Sequence, residues 1–269
     1  MKYDEICLVM TACIAPSAQM KLLTIRDKGV RRKQYLEAAR FYIEKTRIKH
    51  IVFCDNSGTR EIGLLKKLAA EKQKRFEWLS YQGDGKKTEE QGKGYGEGEI
   101  LAYVLQNSRL LRTCRYMAKV TGRLKVRNID MVIRLLGQSG NYFNSYIDYR
   151  NRFFIDTRFF VVSCRDYESF LKDCYQSVND GRGFYLEHSI ARAVRKKHMS
   201  YHVFPVALDV EGISGTSGMR YATSRRALYL SSADLLLRML LHREKKDRSI
   251  LELDKNIRQA GGETKTETG

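Results

Sequence analysis

Along the first 80 residues, short continuous apolar runs alternate with stretches in which apolar positions recur every three or four residues. Residues 6–13 form an apolar run of strand length, closed off by Pro16. In residues 30–45, Tyr35, Leu36, Ala39, Tyr42 and Ile43 recur at helical spacing among basic side chains, which predicts a helix. Residues 48–54 are a second strand-like run, stopped by the turn sequence Asp55-Asn56-Ser57-Gly58. Residues 61–74 carry Ile62, Leu65, Leu68 and Ala69 as the apolar stripe of a charged helix, and residues 76–79 are suited to a third strand. Strand and helix in alternation predict an α/β fold, a mostly parallel central sheet flanked by helices. Ligands of such sheets bind beyond the carboxyl ends of the strands, where Thr11, Pro16, Asp55, Asn56 and Ser57 fall.

The segment Gln91-Gly-Lys-Gly-Tyr-Gly-Glu97 places three glycines at alternate positions just before a helical run at 99–107. Glycine lets a backbone approach a ligand closely, and the helix start beyond it offers unpaired N–H groups to an anion. Lys93 and Gly94 are therefore candidates to cradle a phosphate, the plain alternative being a flexible surface turn. Residues 101–116 read as helix and Lys119-Val-Thr-Gly-Arg123 as a polar turn. Further on, 153–164 suit one or two strands, 166–178 and 184–197 two helices, 201–208 a late strand, and 213–218 a mobile loop. From Ser224 the apolar spacing predicts one long amphipathic helix with basic ends. The expected organisation is a single binding and catalytic domain over 1–223, a helical extension over 224–256, and a disordered tail over 257–269.

A chain of 269 residues with 43% hydrophobic content has enough apolar material for one large domain, and its two prolines leave no Pro-rich linker. The six cysteines contain no C-x-x-C pair, which suits reduced thiols in a cytosolic core. No apolar run approaches the roughly 20 residues of a membrane span, and the N-terminus does not read as a signal peptide. The chain is expected to be cytoplasmic. Its formal charge of +18 calls for an anionic partner: a phosphorylated metabolite, nucleic acid, or an acidic membrane. The basic, amphipathic stretch 225–248 could lie on an anionic membrane at its cytoplasmic face, or pack on the core.

Asp55-Asn56-Ser57 can exchange hydrogen bonds with a base and ribose at a strand end, or form an Asx-turn that caps the next helix. Lys119 and Arg123 bracket a tight Thr-Gly turn and could hold a diphosphate, or be a solvated basic turn. Glu187, in the apolar helix opening Phe184-Tyr-Leu-Glu-His-Ser-Ile, is the candidate general base, with a helix-capping carboxylate as the alternative. His188 points about 100° away from it on a helix, so only one of the two faces a common crevice. Asp156-Thr157-Arg158 resembles a metal-binding Asp-x-Asp pair except that Arg158 stands at the third position. A guanidinium cannot ligate a metal but could neutralise phosphate directly. The five histidines lack zinc spacing, and there is no complete P-loop and no Ser-His-Asp or Cys-His signature.

The order of Thr11-Ala-Cys-Ile-Ala-Pro16, Arg31-Arg-Lys-Gln-Tyr35, Val52-Phe-Cys-Asp-Asn-Ser-Gly58, Gly92-Lys-Gly-Tyr-Gly-Glu97 and Lys119-Val-Thr-Gly-Arg123 resembles bacterial glycosyltransferases of surface-polysaccharide and lipopolysaccharide synthesis with a GT-A-like fold. The resemblance spans nearly the first half and continues through 153–160 and 184–187. It implies that Thr11, Asp55, Asn56 and Ser57 hold a nucleotide, that Lys93, Glu97, Lys119 and Arg123 line the donor crevice, and that Glu187 activates the acceptor. The implied reaction is inverting transfer of a hexose or N-acetylhexosamine from a UDP-linked donor to a lipid-linked saccharide, with no nucleic-acid partner. Without an Asp-x-Asp, no metal or other cofactor is expected. The alternatives are a basic nucleic-acid-binding protein and an enzyme using a CMP-linked sugar.

Overall fold

The computed structural model describes residues 1–17, 23–60, 63–137, 140–147, 152–213, 218 and 220–221. The chain divides into two compact units, Met1–Phe204 with Leu208–Thr223 and Pro205–Ala207 with Ser224–Gly269. The expected C-terminal helix, the tail and most of the loop at 213–218 lie outside the described residues.

The first unit is built on a five-stranded sheet in the order β3-β2-β1-β4-β8. These strands are β1 (Ile6–Ala12), β2 (His50–Asp55), β3 (Arg75–Ser80), β4 (Tyr116–Thr121) and β8 (Phe159–Ser163). The first four run parallel and β8 pairs antiparallel with β4, so the α/β, mostly parallel architecture read from the sequence is the one observed. Leu8 sits between Ile51 and Ala118 in register, and every residue of β1 and β2 is buried. Burial on both faces is why these strands read as continuous apolar runs rather than alternating ones. The helices α1 (Lys28–Lys45), α2 (Leu64–Glu71), α3 (Gly85–Gln91), α4 (Lys93–Asn107) and α5 (Ile129–Leu135) connect the parallel strands or follow them. Three short strands, β5 (Lys125–Val126) and the antiparallel pair β6 (Ser145–Ile147) with β7 (Phe153–Ile155), lie outside the main sheet.

The structure corrects four expectations, one of them only in part. The helix read over 101–116 ends at Asn107. The Glu77 carboxylate accepts hydrogen bonds from the Ser108 hydroxyl and from the Arg109 and Leu110 amides, which turns the chain out of the helix. The chain then enters β4, so Lys119, Val120 and Thr121 end a strand, and the turn is confined to Gly122 and Arg123, where the Leu124 amide donates to the Thr121 carbonyl at 2.8 Å. The strand read over 201–208 is absent apart from a bridge between His202 and Tyr142. Pro205 supplies no ladder donor, and pairing resumes in β9 (Val210–Ile213), between β5 and β10 (Arg220–Tyr221). The helix read over 166–178 is a series of short pieces: α6 (Cys164–Asp166), a π-helical turn at Tyr167–Leu171 and a 3-10 turn at Cys174–Ser177. The next helix, α7 (Leu186–Lys196), buries Leu186, Ile190, Ala191 and Val194 against the same core as Val9, Leu101, Met117 and Phe160.

The glycine-rich segment is the opening of α4 itself and not a loop before it. Only Gly92, the residue that caps it, has a positive φ, at 106°. The glycines inside α4 permit close packing. A Cβ at Gly94 would come within 3.2 Å of Leu186, one at Gly96 within 3.1 Å of Thr88, and one at Gly98 within 2.0 Å of the Tyr175 Cβ. Gly98→Ala should therefore destabilise the fold by about 1–3 kcal/mol despite alanine's better helix propensity. Gly85→Ala, whose Cβ would meet open space, should be neutral or stabilising by up to about 1 kcal/mol. Urea unfolding of the two variants checks the contrast, and equal midpoints would refute the packing explanation.

Candidate functional site

The carboxyl edge of the sheet carries a chain of hydrogen-bonded polar side chains. Lys119 points from β4 into the interior and is 0% exposed. Its ammonium donates to Glu97 Oε1 at 2.5 Å, to the Thr121 hydroxyl at 3.2 Å and to the Thr157 carbonyl. Glu97 reaches it from the second turn of α4 and also accepts from the hydroxyls of Thr11 at 3.0 Å and Thr121 at 3.1 Å. Burial works against a charged Glu97, but the Lys119 ammonium and these three hydrogen bonds outweigh it and hold the carboxyl below its usual range. The Lys119 charge is thus met inside the protein.

Thr157 links this pair to Glu187. Its carbonyl accepts from Lys119 while its hydroxyl donates to Glu187 Oε1 at 2.8 Å. Glu187 is half-buried in the first turn of α7. Burial raises its pKa, a backbone N–H and the Thr157 hydroxyl pull the other way, and Glu97 and Asp156 add to the rise. A carboxyl with these neighbours is a better proton acceptor than an ordinary glutamate. His188 does not share this crevice. Its Nδ1 accepts the Tyr185 backbone N–H at 3.2 Å, and its ring lies among Phe154, Phe184 and Tyr185.

Asp55, at the end of β2, is fully buried and uses both carboxylate oxygens within the protein. Oδ1 accepts from the Ile14 amide at 2.7 Å, and Oδ2 from the amides of Ser57 at 3.1 Å and Thr59 at 3.0 Å. The Ser57 hydroxyl donates to Asp55 and accepts the Ala15 amide at 2.9 Å. Asp55 and Ser57 therefore tie the chain after β1 to the turn after β2, an Asx-turn that does not cap the next helix, since α2 starts after Gly63 with no side-chain cap. Asn56 packs against Gly83, and its buried Oδ1 has no hydrogen-bond partner among the described residues. On the outer side of this turn, the indole of Trp78 donates to the Thr59 carbonyl at 3.3 Å and stacks on Phe53 with centroids 4.5 Å apart.

The helix start at Lys93 and Gly94 is already occupied by an anion of the chain. The Asp180 carboxylate, 7% exposed, lies against Gly92, with Oδ2 3.5 Å from the Gly94 amide. Burial raises the pKa of Asp180, opposed by the backbone amides of α4 and by Lys93. The expected cradle of free amides is thus closed by an internal carboxylate. Arg158 is likewise committed: its guanidinium and backbone N–H hydrogen-bond Asp156, at 2.6 to 3.0 Å, and it lies 5.1 Å from the Tyr221 ring centroid. Among the described residues no three His, Cys, Asp or Glu side chains gather as metal ligands. Asp156 faces Arg158 and Glu97 faces Lys119, an arrangement that does not fit a divalent cation.

Arg123 follows β4 and is 7% exposed, hydrogen-bonded to Gln34 Oε1 at 3.1 Å and 5.7 Å from the Tyr35 ring centroid. The structure thus joins Thr11, Glu97, Lys119 and Glu187 in one network through Thr121 and Thr157, sets Asp55, Asn56, Ser57 and Arg123 around the neighbouring strand ends, places Asp180 against the helix start at Lys93 and Gly94, and pairs Arg158 with Asp156. Thr121 and Thr157 were missed by sequence reasoning. Thr157 stood in plain view as the middle residue of Asp-Thr-Arg, and Thr121 as the centre of Lys-Val-Thr-Gly-Arg. Two cavities, of about 550 Å³ beside Asn179, Arg182 and Phe184 and about 650 Å³ beside Asp173, Cys174 and Lys196, are lined by neither Glu97 nor Glu187.

No family model matches the chain, and no curated protein matches it in sequence. Among solved structures, the chain is similar to a protein of Desulfovibrio desulfuricans G20 assigned as a nucleotide-diphospho-sugar transferase, with a TM-score of 0.45 and 9% identity over 75% of this chain and 80% of that one. It is also similar to a 4-diphosphocytidyl-2C-methyl-D-erythritol synthase, with a TM-score of 0.43 and 10% identity over 86% of this chain and 99% of that one. A third likeness is to the mannosyltransferase Ktr4p of S. cerevisiae, with a TM-score of 0.43 and 8% identity over 77% of this chain and 70% of that one. These TM-scores all lie below 0.5.

Proposed function

We propose that the chain is an inverting glycosyltransferase of GT-A-like build, moving a hexose or N-acetylhexosamine from a UDP-linked donor to a saccharide acceptor. The observation that supports this reading best is Glu187: a half-buried carboxylate of raised proton affinity, positioned by Thr157 at the carboxyl edge of a parallel sheet. In this reading Glu187 takes the acceptor hydroxyl proton as that oxygen bonds to the anomeric carbon. The bond from the anomeric carbon to the diphosphate oxygen breaks on the opposite face, and the diphosphate leaves with the electron pair. Thr11, Glu97, Lys119 and Thr121 act as positioning residues that hold Thr157, and through it Glu187, in place. The acceptor is a lipid-linked glycan of surface-polysaccharide synthesis, met at the cytoplasmic face of an anionic membrane. No helix among the described residues is long and apolar enough to cross one.

The test is a thermal-shift screen of nucleotides and nucleotide sugars, with Mg²⁺, with Mn²⁺ and with EDTA. At a hundredfold excess over Kd, a UDP ligand should raise the melting temperature by about 5–10 °C. Failure of every nucleotide, together with salt-sensitive RNA binding, would overturn the proposal in favour of a nucleic-acid binder.

A further inference from the structure

Two buried arginines share one tyrosine where β1 and β4 end. Arg31, in the first turn of α1, is 3% exposed and lies 5.7 Å from the Tyr35 ring centroid, the same distance as Arg123. Its guanidinium donates to the Cys13 carbonyl at 2.8 and 2.6 Å, to the Ile25 carbonyl at 3.2 Å and to the Tyr35 hydroxyl at 3.3 Å. All four bonds go to neutral acceptors. Arg123 is less well satisfied: Gln34 takes one N–H, and its buried Nε has no acceptor among the described residues. Neither arginine has a carboxylate within ion-pairing distance among the described residues.

Two buried guanidiniums about one ring are costly without a counter-charge, and a guanidinium does not shed its proton to escape the cost. The carboxylates at this edge have partners of their own: Asp55 the amides of Ile14, Ser57 and Thr59, Glu97 Lys119, Asp156 Arg158, and Glu187 the Thr157 hydroxyl. Among the described residues no anion answers the two guanidiniums, and one from outside the chain would. The position agrees, because in the order β3-β2-β1-β4-β8 the strand order reverses between β1 and β4. Gly122 makes the approach possible. A Cβ there would lie 2.6 Å from the Thr11 carbonyl and 3.2 Å from the Tyr35 ring, so only glycine brings Arg123 round beside that ring.

We infer that Arg31 and Arg123, held about Tyr35, form the clamp for the diphosphate of the nucleotide-linked donor. Assigning the anion to a donor rests on the transfer reading above; the anion site itself does not. The two guanidiniums supply the positive charge that meets the departing diphosphate, and Lys119 and Arg158 do not, because carboxylates of the chain already neutralise them.

The test is calorimetric titration of the full chain with inorganic pyrophosphate, orthophosphate and UDP at physiological salt. Pyrophosphate should bind at one site, more tightly than orthophosphate. Arg123→Gln should weaken pyrophosphate and UDP about tenfold or more, the loss of a charge-assisted hydrogen bond. Arg32→Gln, which removes the same charge from the exposed neighbour of Arg31, should change affinity less than about twofold. If Arg123→Gln does not fold, as judged by circular dichroism, Arg123→Lys keeps the charge, loses the planar fork and should still weaken binding. Unchanged pyrophosphate affinity in the folded Arg123 variant, equal losses in the Arg32 and Arg123 variants, or no binding by the wild type would each overturn the clamp. Turnover of a nucleotide-linked sugar that survives Arg123→Gln with unchanged KM sinks the clamp and leaves the transfer reading standing. Arg123-dependent pyrophosphate binding in a chain that turns over no such sugar does the reverse.

Discussion

Glu187→Gln should lower kcat by about 10²–10⁴-fold while the Kd for the donor stays within about twofold, the pattern of a lost general base. Glutamine has nearly the same shape, and its carbonyl oxygen can still accept the Thr157 hydroxyl, so the position of the side chain is kept. What disappears is the ability to hold a proton. The pH profile separates this role from a structural one. Burial raises the Glu187 pKa above the 4.5 of an ordinary glutamate, so the acid limb of wild-type kcat/KM should lie above that value, with activity rising as the base ionises. In the variant that limb should be gone. The stability effect has the opposite sense. Because the folded protein binds this proton more tightly than the unfolded chain, the group's contribution to stability falls as pH rises through the unfolded and then the folded pKa. Glu187→Gln removes that penalty and should melt no lower than the wild type at neutral pH, an inactive enzyme of undiminished stability. Normal turnover by the variant would end the assignment.

Glu97→Leu should cost about 3–5 kcal/mol of folding stability, the largest loss expected of any single change at this edge. Its partner Lys119 is 0% exposed, so without Glu97 the ammonium is left in the sheet interior with the Thr121 hydroxyl and the Thr157 carbonyl, 5.9 Å from the Phe160 ring centroid. Adding Lys119→Met to the same chain should recover a large part of the loss, because an apolar pair of similar volume carries no unpaired charge. Urea unfolding of the two single variants and the double closes the cycle. A Glu97→Leu cost below about 1 kcal/mol, or a double variant as unstable as the sum of the singles, would show that the pair is not what stabilises this edge. The pH dependence comes from the lowered Glu97 pKa. Its stabilising contribution is present above the 4.5 of an unfolded glutamate and is lost as the pH falls through the folded value, a loss absent from the double variant.

The parts of the fold legible in the sequence are those where one local pattern decides the outcome. β1 and β2 are buried on both faces, and α1 keeps Tyr35, Ala39, Tyr42 and Ile43 on its buried side, so periodicity alone found them. β4 was hidden because Lys119 interrupts its apolar run, and the reason for a lysine there is Glu97, 22 residues earlier in the chain and invisible to any local window. The opening of α4 was hidden because glycine disfavours helices. Its glycines are explained by Tyr175, Leu186 and Thr88, which only the folded chain brings near. The candidate site shows the same division. Glu187 could be singled out by residue type in an apolar helix opening, whereas the seating of Asp180 against the start of α4 and the pairing of Arg158 with Asp156 needed coordinates. Arg31 was passed over for a related reason: it stands beside Arg32 and Lys33 in one basic run, and only burial separates it from them.

The chain has a single tryptophan, and its neighbours give it a use beyond packing. Trp78 stacks on Phe53, and Phe53 meets the Tyr35 ring edge-on at 6.0 Å, so a continuous aromatic line runs from the indole to the ring beside both arginines. The same indole is tethered to the Thr59 carbonyl. Occupancy of the crevice should therefore register in the protein's own ultraviolet emission, and titrations can be followed on native material without attaching a dye.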